Sequence, residues 1–275
     1  MPELPEVQTI INTLLSKDIL HKKFTKTNVY KPKLLKNSTP CKLNIFLVNE
    51  QIINIKRLGK YLTFILTHGK IMVIHLRMEG KLFYEQRKYT MPKNHLRVEF
   101  YFKNKKVLRF YDSRMFGTIH IFNNEKEYIT SPIISKIAID PLNRNFTKNY
   151  LTNKINKSNK YIKTCLLDQT NVSGIGNIYV DEILFKSKIS PLRKANSLTE
   201  NNFNNIVKYS KEILNQATRD GGTTISTYAS DKNHAGAYQN KLLIHGKKIC
   251  PVCKSRVIFI KVNGRGTSYC KKCQK

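Results

Sequence analysis

Four cysteines near the C-terminus stand in two Cys-x-x-Cys pairs, Cys250-Pro-Val-Cys253 and Cys270-Lys-Lys-Cys273, with 16 residues between the pairs. Two knuckles at that spacing close a tetrahedron of thiolates around Zn2+, as in a zinc ribbon with a hairpin between its knuckles. Sulfur fills every coordination position, so one zinc ion is expected, structural rather than catalytic. At the opposite end, Pro2 follows Met1, with Glu3 next to it and Glu6 one helical turn on. A small residue in second position permits removal of the initiator methionine, which exposes a secondary amine. Because an α-amino group titrates near ~7.7–8, an appreciable fraction is neutral at physiological pH without a dedicated base. An iminium built on such an amine cannot lose its charge by deprotonating nitrogen, so it acts as an electron sink for elimination. By itself, Pro2 reads first as an ordinary N-terminal proline, and it gains chemical meaning only from the pattern around it.

Two glycine-flanked turns add weaker signals. Gly174-Ile-Gly-Asn177 enters a helix whose first amides are expected to point outward, an arrangement that binds phosphate. Lys160 and Lys163, just upstream, strengthen that reading, although glycine-rich turns between helices are also common connectors. Gly264-Arg265-Gly266 lies in the ribbon hairpin and either presents one cation to a partner or is a tight turn with a solvated arginine. Charge points the same way as these turns. Lysine and arginine number 49 against 18 acids, a formal +31, which favours an anionic partner and nucleic acid above all. Lysine far exceeds arginine, a bias that AT-rich coding also produces, so the charge supports nucleic-acid binding without establishing it.

Composition bounds the rest. Apolar residues at 40% suffice for real cores. Runs such as Ile71-Met-Val-Ile74 are too short to span a bilayer, and the N-terminus carries acids where a secretory signal carries basic residues. A cytoplasmic protein with no membrane association is expected, a monomer for want of long unpaired apolar patterning. Cys41 and Cys165 stand alone and read as buried free thiols.

The elements that must position these residues show in the periodicity. Val7, Ile10, Ile11, Leu14 and Leu15 form a helical stripe over residues 4–20, with Pro5 in the first turn. From about 27 to 122 the pattern turns to short β-rich segments: 61–66, 71–76, 98–102, 107–111 and 118–122, separated by turn residues such as His68-Gly69. Residues 131–146, holding Pro132 and Pro141, read as a linker. Helical periodicity follows at 151–155, 161–167, 178–186 and 202–218. The fold class is therefore α+β and multi-domain. It comprises an N-terminal helix plus a β-sandwich or barrel-like domain (1–131), a linker (132–146), a helical domain (147–236) and a zinc ribbon (237–275).

Six ordered blocks carry a resemblance along the whole chain. They are Met1-Pro-Glu-Leu-Pro-Glu-Val7, Gly59-Lys-Tyr-Leu62, His75-Leu-Arg-Met-Glu-Gly80, Tyr111-Asp-Ser-Arg-Met-Phe-Gly117, Leu166 to Tyr179, and Gly221-Gly-Thr-Thr-Ile225 followed by the ribbon with Gly264-Arg-Gly-Thr267. The chain resembles the bacterial formamidopyrimidine-DNA glycosylases, whose helical domain is of the helix-two-turn-helix type. The resemblance implies a bifunctional glycosylase and apurinic/apyrimidinic lyase acting on oxidised purines in duplex DNA. Pro2 would be the nucleophile, Glu3 the general acid, Glu6 an orienting group, Lys60 the proton donor of β-elimination and Arg265 its counterpart for δ-elimination. Phosphates would be held by Lys60, His75, His95, Arg114, Lys160, Lys163, Asn177 and Arg265. Met78, Arg114 and Phe116 would fill the hole left by the extruded nucleotide. Glu79, Thr223, Ile225, Ser226, Thr227 and Tyr228 would meet the lesion.

The chain departs from the family pattern in three places. Met115 stands where a second arginine is usual, Leu96 and Arg97 interrupt a His-Asp-His run, and Arg77 replaces a glycine. Other readings remain open at this stage. One is the endonuclease VIII-like sister class, which prefers oxidised pyrimidines; Leu4, where that class has glycine, argues against it. A second is a non-catalytic nucleic-acid-binding protein, for which Pro2 would be dispensable. A third is a ribbon serving only protein interaction, which leaves Glu3 and Lys60 unexplained.

Overall fold

The computed structural model describes residues 1–86, 93–223 and 236–275. These divide into two compact units, the first of residues 1–2 and 6–135, the second of residues 3–5, 136–223 and 236–275. The division after Ser135 falls inside the stretch read as a linker.

Helix α1 (Leu4–Ser16) opens the chain and buries Val7, Ile10, Ile11 and Leu14. It stops four residues short of the expected end. Asp18 takes a left-handed conformation, with φ 59°, through which a right-handed helix cannot run. Among the described residues, eight strands follow in two antiparallel sheets. One has the order β1 (Phe24–Val29), β6 (Leu96–Phe102), β7 (Lys106–Tyr111), β5 (Lys81–Gln86). The other has the order β2 (Ile52–Leu58), β3 (Tyr61–Leu66), β4 (Ile71–His75), β8 (Thr118–Phe122). Strand alternation sends Val98, Phe100, Leu108 and Phe110 from the first sheet and Leu62, Phe64, Met72 and Ile74 from the second into one core with the α1 stripe. Of the sandwich and barrel-like arrangements that the periodicity allows, this is the helix-led β-sandwich.

Two short helices were not visible as periodicity. Helix α2 (Pro40–Leu47) is capped by the Thr39 hydroxyl, and α3 (Glu125–Thr130) by the Asn124 side chain. Both have a recognisable start signal but too few turns to establish a stripe. Helix α2 corrects one expectation. Cys165 is buried, but Cys41 is exposed, because α2 turns Leu43, Phe46 and Leu47 inward and leaves Cys41 on its outer side.

The second unit contains α4 (Lys148–Ile155), α5 (Ile162–Leu167), α6 (Asn177–Lys186) and α7 (Glu200–Arg219), then a hairpin of β9 (Ile258–Val262) and β10 (Arg265–Tyr269). Helix α7 starts on a capping box made by Thr199 and Asn202. The helices share a core around Leu151, Ile162, Leu166, Val180, Ile183 and Phe203. A smaller cluster of Phe185, Ile244 and Val257 packs with Cys250 and Cys270. The C-terminal residues are tied down, with the Gln274 amide donating to the Ile189 carbonyl at 2.9 Å and the Lys275 N–H to that of Lys188 at 3.1 Å. No helix among the described residues is long and apolar enough to cross a membrane.

One buried ion pair knits β6 to β7. Arg109 Nε donates to Glu99 Oε1 at 2.9 Å, and its Nη1 reaches Glu85 Oε1 at 2.6 Å. Glu99 also accepts from the Tyr30 and Tyr101 hydroxyls. Burial alone would raise the Glu99 carboxyl, but these hydrogen bonds and the guanidinium hold it below its ordinary range. Replacing Arg109 by Met strands a wholly buried carboxylate, so the unfolding free energy should fall by about 3–5 kcal/mol in denaturant titration. Arg109→Met with Glu99→Leu should recover most of that loss.

Candidate active site

Glu3 is held by the start of α6. Its carboxylate accepts the N–H of Gly176 at 2.7 Å, of Ile178 at 3.0 Å and of Tyr179 at 3.4 Å. Helix N-termini carry unpaired amides and partial positive charge, and an anion is stabilised there. The turn read from sequence as a phosphate cradle therefore already holds an anion, the chain's own Glu3. Both glycines of the turn are accounted for by this seat. Gly174 has φ 85°, its carbonyl accepts the Leu4 N–H at 3.0 Å, and a Cβ there would come within 2.8 Å of the Leu4 side chain. A Cβ on Gly176 would come within 2.2 Å of the Glu3 carboxyl carbon. Asn177 turns its side-chain amide to the Gly266 carbonyl at 2.9 Å. Pro2, one peptide bond before Glu3, is buried.

Lys163 corrects a second expectation. It is fully buried and spends its three N–H donors on Asp181 Oδ1 at 2.7 Å, the Gly266 carbonyl at 2.9 Å and Thr267 Oγ1 at 2.8 Å. Burial lowers the affinity of this ammonium for its proton, and Asp181 opposes that shift. A buried, saturated lysine is not placed to meet a phosphate. Lys160 and Arg265, by contrast, are exposed.

In the first unit, β2 turns through Gly59 into Lys60, whose side chain is buried. The next residue, Tyr61, pairs across the sheet with His75, and the two rings meet edge to face at 4.4 Å. His75 Nδ1 accepts the Arg77 N–H at 2.9 Å, which leaves the ring proton on Nε2 when the imidazole is neutral. Burial, with the cations of Arg77 and Lys60 nearby, pushes His75 down to about 3, so it is uncharged at neutral pH. Arg77 has φ 53°, the region that favours glycine, which explains why this departure from the family pattern is structurally unusual.

The block Tyr111–Gly117 runs from the end of β7 into a loop whose ends are buried and which is organised by Asp112. One Asp112 oxygen accepts the Arg114 N–H at 3.1 Å and the other the Gly117 N–H at 2.7 Å, while Arg97 Nε donates to the Asp112 carbonyl at 2.7 Å. Arg97, which interrupts the family's histidine run, thus serves the loop from inside. Arg114, Met115 and Phe116 are exposed, and the Arg114 guanidinium lies 4.9 Å over the Phe116 ring. Ser113 donates to Glu79, which joins this loop to the block containing half-buried Met78. His95 is exposed on a single 3-10 turn (Lys93–His95). Glu6 and Thr223 are buried. Ile225, Ser226, Thr227 and Tyr228 lie outside the described residues. Asp181 is not singled out by the sequence, because it lies 18 positions from Lys163, which it anchors, and local spacing carries no sign of that.

The sulfur atoms of Cys250, Cys253, Cys270 and Cys273 all lie within 4.8 Å of one another. Tetrahedral coordination at a metal–sulfur distance of ~2.3 Å needs sulfurs ~3.8 Å apart, and Cys250 and Cys273 are separated by 3.8 Å. The four thiolates could hold a metal ion.

The Glu3 seat and the His75 pocket each generate a prediction. Gly176→Ala should expel the carboxylate and raise hydrogen exchange at the Ile178 and Tyr179 amides about tenfold, the loss of one good hydrogen bond, while the middle of α7 is unchanged. The unfolded chain protonates His75 near ~6.5, and the folded chain only near 3. Below pH ~6.5 the unfolded state therefore binds more protons, and stability is lost as pH falls. The unfolding free energy of His75→Gln should decline less steeply than wild type between pH 6.5 and 4.

Comparison with known proteins identifies the family. The profile of the formamidopyrimidine-DNA glycosylase N-terminal domain matches residues 1–119, and that of the formamidopyrimidine-DNA glycosylase H2TH domain residues 137–229. The chain is 46% identical to the formamidopyrimidine-DNA glycosylase of Ureaplasma parvum, each chain being covered over 100% of its length. It is also 46% identical to that of Mycoplasma pneumoniae, covering 100% of this chain and 99% of the relative. Among solved structures, a Lactococcus lactis FPG mutant bound to Fapy-dG-containing DNA superposes with a TM-score of 0.92 at 34% identity, with 100% of both chains covered. The Lactococcus lactis Fpg bound to DNA containing an abasic site gives the same score and identity over 99% of both chains. The chain belongs to the formamidopyrimidine-DNA glycosylase family of DNA repair glycosylases.

Proposed function

We propose that the protein is a bifunctional DNA glycosylase and apurinic/apyrimidinic lyase that removes oxidised purines, 8-oxoguanine and formamidopyrimidines, from duplex DNA. The observation that carries the reading is the seat of Glu3. A carboxylate held by three backbone amides fixes the residue bonded directly to Pro2. Once Met1 is removed, the Pro2 nitrogen attacks C1′ of the damaged nucleotide, the bond to the base breaks, and the proton shed by the nitrogen goes to the departing base. The sugar ring opens as Glu3 supplies a proton to the ring oxygen, leaving an iminium between Pro2 and C1′. Loss of a proton from C2′ then breaks the bond from C3′ to its phosphate, the β-elimination in which Lys60 donates a proton. Loss of a proton from C4′ breaks the bond from C5′ to its phosphate, the δ-elimination, with Arg265 against the departing group.

Phosphate contacts are assigned to Lys60, His95 and Arg114 of the first unit and to Lys160, Asn177 and Arg265 of the second. His75, neutral, adds a hydrogen-bond donor but no charge. About six contacts would give a slope of roughly −5 in log K against log salt. Met78, Arg114 and Phe116 would occupy the space of the extruded nucleotide, and Glu79 and Thr223 would meet the base. The four cysteines would hold one structural zinc, which supplies folding energy to the hairpin carrying Arg265 and takes no part in the reaction. The assignment keeps residues 1–131 as the sandwich domain, 132–146 as linker, 147–236 as the helical DNA-binding domain and 237–275 as the ribbon, acting as a monomer. Support for a DNA partner comes from the Lactococcus lactis relatives solved with Fapy-dG-containing or abasic-site-containing DNA.

Borohydride trapping on a duplex with 8-oxoguanine opposite cytosine tests the reading. Wild-type protein lacking Met1 should give a covalent adduct. Glu3→Gln should lower base release by about 10²–10⁴-fold, the contribution typical of a positioned acid, and Pro2→Gly should strongly impair trapping. No adduct from zinc-loaded protein with a free Pro2 would exclude this lesion and turn the test to oxidised pyrimidines.

A further inference from the structure

The Arg265 side chain is exposed, but the backbone that carries it is held from both directions. On one side, the Asn263 amide donates to Thr164 Oγ1 at 2.9 Å, which ties the tip of the hairpin to α5. On the other, the Gly266 carbonyl accepts from Lys163 Nζ at 2.9 Å and from the Asn177 amide at 2.9 Å. The carbonyl of Arg265 itself is reached through a relay. Lys163 donates to Thr267 Oγ1 at 2.8 Å, and that hydroxyl donates onward to the Arg265 carbonyl at 3.0 Å. One buried ammonium thereby fixes the two peptide groups that follow the Arg265 side chain.

Asp181 anchors the ammonium in turn. It accepts from Lys163 at 2.7 Å through one oxygen, and through the other from the Ser268 N–H at 3.1 Å and the His245 ring at 2.8 Å. Asp181 and Lys163 are both fully buried, so each charge depends on the other and neither can swing out to a ligand.

We propose that Lys163 is a positioning residue for Arg265. Together with Asp181 and the Thr267 hydroxyl it sets the backbone from which the guanidinium extends, and so governs the second strand cut without contacting DNA. The inference rests on the reading above, in which Arg265 meets the phosphate that leaves in δ-elimination. It assigns Lys163 a role different from the phosphate contact implied by the family resemblance.

The test is a time course on a duplex holding a single abasic site, which separates β from β,δ products, with zinc-loaded wild type and four variants. In Lys163→Met/Asp181→Asn the buried charges are removed together, so neither is stranded. The second cut should slow about tenfold, equivalent to one hydrogen bond of positioning, with the first cut and KM nearly unchanged. Thr267→Val leaves the ion pair in place and removes only the relay hydroxyl; it should slow the second cut about threefold. Arg265→Ala should lose the second cut, and adding Lys163→Met/Asp181→Asn to it should cost nothing more, since the two act through one interaction.

Additive losses in that combination, or a second cut at the wild-type rate in both Lys163→Met/Asp181→Asn and Thr267→Val, would overturn the proposal. So would a salt slope shallower by about one in Lys163→Met/Asp181→Asn, the mark of a lost phosphate contact. A wild type that cuts no abasic strand removes the proposed lyase function itself. A wild type that cuts, beside variants that cut equally well, removes only the role of Lys163.

Discussion

Three amides at the start of α6 need an acceptor, and the chain provides one from its own third residue. That single requirement explains several features of the second unit. It calls for a left-handed glycine at 174 whose carbonyl can receive Leu4, and for the absence of any side chain at 176, where the carboxylate lies. It places Leu4 in the helical core with Ile175 and Tyr179. It also fixes a residue one peptide bond from Pro2, so the geometry of the N-terminus derives from a helix more than 170 positions further along the chain.

The same ten-residue helix serves a second segment from its other positions. Asp181 gathers Lys163, His245 and the Ser268 amide, while the adjacent Glu182 accepts the N–H groups of Leu243, Ile244 and His245 at 2.8–2.9 Å. Burial pushes the Glu182 carboxyl up despite those three amides. Two consecutive buried acids thus bind α6 to the approach and return of the ribbon. Hydrogen-bonded acceptors, rather than apolar area alone, specify how the ribbon sits on its helix, consistent with the small size of its own apolar cluster.

Much of this was legible in the sequence. Strands 61–66 and 118–122 were read to the residue, because alternating apolar positions bounded by turn residues leave little freedom of register. The cysteine pairs announced a metal-ligand cluster, and the Tyr111–Gly117 block placed Arg114 and Phe116 together on one exposed loop. What escaped were relationships between distant positions. The Gly174–Asn177 turn reads from sequence as a phosphate site, but its amides are taken by Glu3, which lies too far away in sequence for spacing to reveal. Lys163 shows the same limit: a lysine beside such a turn reads as a phosphate ligand until its partner Asp181 is placed beside it. Short capped helices such as α2 were missed for a different reason, since fewer than three turns give no stripe to count.

The seat for Glu3 also sets an order of events during synthesis. Residues 3–5 belong to the second unit, yet the amides that receive Glu3 are made 173 residues after it. At about 5–20 residues per second, the N-terminus spends roughly 10–35 s without its binding partner. Once Gly174 and Gly176 arrive and close on Leu4 and Glu3, the second residue is buried. The N-terminal residues and the helix that receives them thus come together late in synthesis, after the sandwich strands between them have been made.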